Sequence, residues 1–151
     1  MKKTRLIEIL PEINKTFDEG KYFSFMPNGI SMLPTIVGGR DTVTIKKPTD
    51  KPKKFDIILY RRKSGQFVLH RIIDLDGENF ILCGDNEIYP EKNVAPEQLI
   101  GIVTHYTRKG KVIESGSRKF ISDAKKRVYS RPIRQFIFRA KNKIKRTLRI
   151  K

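Results

Sequence analysis

Short apolar runs, each cut off by Gly, Pro, Asp or Asn, fill the chain from Lys21 to about Glu114. Runs of this length cannot carry the 3.6-residue stripe of an amphipathic helix, but they suit half-buried strands. The pattern predicts strands over 22–25, 42–46, 56–61, 66–74, 79–84, 99–108 and 111–115. Ser64-Gly65 and Lys109-Gly110 read as hairpin turns, and Asp76-Gly77 as a turn between two strands. Residues 95–98 read as one helical turn before the next strand. With no long helical pattern between the strands, the predicted fold is mainly β, a small barrel or coiled sheet.

The flanks have a different texture. Leu6, Ile9, Leu10, Ile13 and Phe17 fall near helical spacing and predict a helix over 3–18, with a kink at Pro11 and an end at Glu19-Gly20. The chain thus divides into an N-terminal helix (1–20), a β domain (21–115) and a basic helical tail (116–151). In the tail, helices are expected over 118–129 and 132–149. Arg131-Pro132 would break them, and Pro132 would occupy the first position of the second.

Charge follows the same division. Residues 1–117 carry 19 Lys/Arg and 15 Asp/Glu, whereas residues 118–151 carry 14 Lys/Arg against one acid, Asp123. The formal net charge of +17 is therefore largely a property of the tail, which calls for an anionic partner. Ile133, Phe136, Ile137, Ala140, Ile144 and Leu148 form one apolar stripe amid those cations. That pattern favours an anionic membrane surface, bound through 132–149, over nucleic acid. Only one helix precedes the β domain, too little for a helix-turn-helix.

The 151 residues suit one domain, and 38% hydrophobic content is enough for a core. Cys83, the only cysteine, excludes an intramolecular disulfide and reads as a small buried residue within Phe80-Ile81-Leu82-Cys83. No metal or other cofactor is expected. No apolar stretch is long enough to span a membrane, and Glu8, Pro11 and Glu12 interrupt any signal-peptide core. The expected location is cytoplasmic, with peripheral membrane attachment.

The segment Asn28-Gly29-Ile30-Ser31-Met32-Leu33-Pro34-Thr35 places a serine on a Gly- and Pro-framed turn. Taken alone, such a serine is a turn residue. A serine becomes a nucleophile only beside a base, and His70, in Leu69-His70-Arg71-Ile72-Ile73, is a candidate on a strand. Asp85 follows in Cys83-Gly84-Asp85-Asn86. It is either turn chemistry or the acid of a Ser-His-Asp triad. His105, on a late strand, and Lys63, at a hairpin end, read as structural or solvated residues.

In their order along the chain these segments resemble the type I signal peptidases, whose clan includes the LexA-like self-cleaving proteins. Gly29-x-Ser31-Met32-x-Pro34-Thr35 is similar to the nucleophile box. Gly39-Arg40-Asp41-Thr42-Val43 is similar to the next strand, with one residue inserted before the Asp. Phe55-Asp56-Ile57-Ile58 is similar to the Gly-Asp-Ile-Val strand, with Phe in place of Gly. His70-Arg71-Ile72-Ile73 stands at the base box, Gly84-Asp85-Asn86 at the acidic box, and Gly101-Ile102-Val103 at the closing strand. The likeness covers roughly residues 25–105, and His70 in place of Lys resembles the endoplasmic-reticulum and archaeal type.

The resemblance implies a serine endopeptidase that cleaves leader-like peptides after small side chains. Ser31 would attack the peptide carbonyl and His70 would shuttle the proton. Asp85 would orient His70, and the Ser31 N–H would contribute to an oxyanion hole. The alternatives are a nucleic-acid-binding protein using the tail, or a catalytically silent relative of the fold.

Overall fold

A computed structural model describes residues 6–149. The chain is mainly β, an antiparallel sheet of eight strands with one helix before it and one after. Helix α1 (Leu6–Asp18) is followed by β1 (Phe23–Phe25), β2 (Val43–Lys46), β3 (Ile57–Arg61), β4 (Phe67–Asp76) and β5 (Asn79–Cys83). Then come β6 (Glu91–Val94), a 3-10 turn (Pro96–Gln98), β7 (Leu99–Arg108), β8 (Lys111–Glu114) and helix α2 (Arg118–Arg149). The sheet order is β1-β2-β7-β3-β4-β5-β6, with β8 paired to β7.

Each predicted strand is present, and β6 is an addition to them. Its residues Glu91-Lys92-Asn93-Val94 bury only Val94 and put Asn93 at φ 59°, so no hydrophobic alternation announces it. The three predicted turns hold as well. Gly65, Gly77 and Gly110 all sit at positive φ, where a side chain would be strained.

Pleating splits the strands between two cores. Ile57, Leu59 and Leu69 point to one face, where Val103, Tyr106, Met32 and Ile36 complete a cluster capped by Ile13 of α1 and Phe120 of α2. Ile58, Tyr60, Val68 and Ile72 point to the other and pack with Phe80, Leu82 and Val94. On β4 the same alternation sends the adjacent His70 and Arg71 to opposite faces of the sheet. That separation decides which acids each can meet.

Each helix contains a proline, and only the second departs from expectation there. Of the helix expected over 3–18, residues 3–5 lie outside the described residues, and the rest runs through Pro11 to Asp18. The two expected tail helices are one, Arg118–Arg149, with Pro132 inside it. Pro132 lacks the amide that would bond the carbonyl of Val128, a local cost that tertiary contacts offset. On either side of it Arg127 donates to the Asp85 carbonyl (2.7 and 2.9 Å), Arg131 to Ile88 (3.2 Å) and Arg134 to Glu87 (3.2 Å). Both halves are pinned to one loop, so the helix continues across the proline. Among the described residues no helix is long and apolar enough to cross a membrane.

Phe55, at a position where the resembled pattern has Gly, adopts φ 83°. Its ring meets Tyr129 of α2 edge-on at 6.1 Å, so the side chain that strains the backbone also docks the helix. Phe55→Ala is expected to lose the docking and keep the strain, whereas Phe55→Gly loses the docking and relieves it. The Gly variant should therefore be the more stable of the two by about 1 kcal/mol, reversing the usual order. Denaturant midpoints of the pair check this, and an Ala variant equal to or above Gly would exclude strain at Phe55.

Candidate active site

The loop between β1 and β2 carries Ser31. Its shape is set by Gly29, at φ 89°, and by Gly38, whose hydrogen occupies space a methyl could not. A Cβ on Gly38 would lie 2.4 Å from the Gly29 carbonyl oxygen. The Gly39 amide closes the loop on Pro27 O (2.9 Å), and Ile36 N on Met32 O (2.9 Å). Met32 and Ile36 anchor it in the first core. Behind the loop, burial alone would raise the Asp41 carboxyl, but bonds from Arg40 and the Val37 amide hold it below its ordinary value.

The Gly84-Asp85-Asn86 turn backs directly onto this loop. Asn86 N donates to Ser31 O (2.9 Å), Asn86 Nδ2 donates to Ile30 O (3.1 Å), and a Cβ on Gly84 would fall 2.5 Å from Ser31 O. The main-chain carbonyl of Ser31 is thus held in place. Among the described residues neither its amide nor its hydroxyl makes a hydrogen bond. Two reactive groups on a braced turn are left available to something else.

Ser31 and His70 line the same cleft, about 1090 Å³ in volume, together with Asn86, Glu87, Phe25 and Phe67. No hydrogen bond joins the serine to the histidine. The imidazole of His70 is 2% exposed, with Nδ1 3.3 Å from the Tyr60 hydroxyl and Nε2 3.5 Å from Glu87 Oε1. Tyr60 donates its proton to Glu91, which also receives Arg62 Nε at 3.1 Å. Burial, then the bond to Glu91, push the Tyr60 phenol above its ordinary value, so it remains protonated and its oxygen can accept from Nδ1–H. With the proton on Nδ1, Nε2 is the nitrogen left to act as a base, and Glu87 is placed to accept from Nε2 once the ring is protonated. Contact with the His70 ring holds the Glu87 carboxyl below the usual range, so it is ionised at neutral pH.

Asp85 is not the acid that orients His70. Its carboxylate receives Arg71 Nε and Nη2, both at 2.8 Å, and the Thr35 hydroxyl. The reason is the strand: Arg71 follows His70 and faces the opposite side, and Asp85 lies on the Arg71 side. Arg71, fully buried, spends its remaining nitrogen on the Phe55 carbonyl (2.9 Å) and stacks over Phe120 at 5.2 Å. Asp85 therefore ties the serine loop, through Thr35, to the strand that carries His70.

The groups around the imidazole, Tyr60 and Glu87 in contact with it and Glu91 behind Tyr60, are not marked in the sequence. Each sits far along the chain from His70 or on the newly found β6, and no spacing rule joins them. Cys83 is buried, and burial pushes its thiol up to about 11, so it is no thiolate nucleophile at neutral pH. His105 is held by Thr104 on β7. Among the described residues no cluster of His, Cys, Asp or Glu is arranged to hold a metal ion. Compared with known proteins, the chain matches no family model and no curated protein.

Proposed function

We propose that this protein is a serine endopeptidase of the signal-peptidase type, with Ser31 as nucleophile and His70 as general base. The observation that carries the reading is the pairing, in one cleft, of a braced serine whose hydroxyl and amide are both unengaged with a buried imidazole held between Tyr60 and Glu87. A peptide carbonyl placed at Ser31 would receive the hydroxyl oxygen. The proton would pass to Nε2 of His70, and the Ser31 amide would donate to the developing oxyanion. As the tetrahedral intermediate collapses, the imidazolium would return its proton to the leaving amine, and water would then release the acyl group from Ser31 by the same route. Arg71 and Asp85 would act as positioning residues that keep the two parts in register. Substrates would be leader-like peptides with small residues before the cut, as the resemblance implies.

The test is incubation of the full chain with a library of peptides bearing Ala, Gly or Ser at varied positions, read by product mass. The wild-type protein should cut at one type of junction, and Ser31→Ala should lower that turnover by about 10⁴-fold or more. Cleavage that survives in Ser31→Ala, or a wild-type protein that cuts nothing in the library, would overturn the reading.

A further inference from the structure

We infer that the outer face of α2, over residues 132–149, is a docking surface for an anionic lipid bilayer, lying along it rather than through it. At 3.6 residues per turn, Ile133, Phe136, Ile137, Ala140, Ile144 and Leu148 fall within about 65° of one direction. Arg127, Arg131 and Arg134, which bond the loop after β5, and Phe138, whose ring meets Tyr89 at 6.4 Å, centre about 125° round the same helix. The apolar stripe therefore points away from the domain that holds the helix.

Its exposure matches that geometry. Phe136 is 73% exposed, Leu148 66%, Ile133 64% and Ile144 58%. Lys143 and Arg139 flank the stripe on one side and Lys141 and Lys145 on the other, with Arg146 and Arg149 about 150° round the helix from it. None of the six joins an ion pair among the described residues, and no acid follows Asp123 in the sequence.

Charge selects the occupant. A second copy of the helix, laid stripe to stripe, would bring two unneutralised rows of cations together in a low-dielectric contact. A nucleic acid would satisfy the cations and leave Phe136 and Leu148 in water. An anionic bilayer meets both needs, because its headgroups take the flanking Lys and Arg while the acyl boundary takes the stripe. At 1.5 Å per residue the segment gives about 27 Å of contact along the surface. The inference stands on α2 alone and does not depend on the peptidase reading.

The chain contains no Trp, so Phe136→Trp installs a single reporter on the stripe. With vesicles of phosphatidylcholine and phosphatidylserine at 7:3, its emission should move to shorter wavelength and the protein should float with the lipid. Binding should be at least about tenfold tighter than to phosphatidylcholine alone. Adding Ile133→Ser, Ile144→Ser and Leu148→Ser should weaken it by more than about tenfold, with the circular dichroism of the fold retained, because these side chains are mostly exposed and belong to neither core. No shift with anionic vesicles would overturn the inference. So would a shift produced only by duplex DNA, or one that rises with protein concentration in the absence of lipid.

Discussion

Replacing Asp85 with Ala is expected to lower the unfolding free energy by about 3–5 kcal/mol, because it leaves a fully buried guanidinium without its counter-charge. Arg71 is 0% exposed and Asp85 3%, and their two bonds at 2.8 Å form a bidentate pair. In a chain of this size such a loss lowers the melting temperature by roughly 10 °C. Removing both charges together, as Arg71→Met with Asp85→Leu, should cost less than the single change, since no orphan ion remains. Urea unfolding of the two variants measures the difference. A single-variant loss under about 1 kcal/mol would mean that water reaches Arg71 and that the pair anchors nothing. Thr35 adds a local effect, because its hydroxyl loses its acceptor and the serine loop loses a tie to the sheet.

The second large effect belongs to His70. His70→Ala is expected to reduce peptide turnover by about 10²–10⁴-fold, the usual worth of a positioned general base. Tyr60→Phe tests whether the ring must also be oriented. It removes the acceptor for Nδ1–H and the donor to Glu91, yet touches nothing that a substrate in the cleft would contact first. Its kcat should fall by about tenfold or more while KM stays near the wild-type value. A rise in KM at constant kcat would mean that Tyr60 shapes the cleft and leaves the imidazole alone. Both measurements require the variants to keep their near-native melting behaviour, which the same unfolding assay reports.

How much could be read without coordinates depended on the range of the interaction. The strand runs, the turns at Gly65, Gly77 and Gly110 and the stripe of the tail are local patterns, and each is present. Ser31 and His70 were legible as residue types in ordered segments, and both reach one cleft. Asp85 reads as the acid because it sits in a recognisable turn, whereas the carboxylate against the ring is Glu87, two residues on, and Glu91 reaches it only through Tyr60, from a strand with no hydrophobic signature. Only the opposed faces of residues 70 and 71, a consequence of pairing and register, separate the two carboxylates. The break expected at Pro132 failed for a similar reason. A local rule was overridden by Arg127, Arg131 and Arg134 acting from outside the helix.

Those three arginines hold α2 through main-chain oxygens of Asp85, Glu87 and Ile88. A carbonyl is supplied by every amino acid, so the attachment places little demand on which side chains the loop displays. Asn86 and Glu87 face the cleft from that same loop. The side chains of Asp85, Asn86 and Glu87 are thereby left to other partners, Arg71, the Ile30 carbonyl and His70. One short loop thus seats the helix with its backbone and organises the cleft with its side chains.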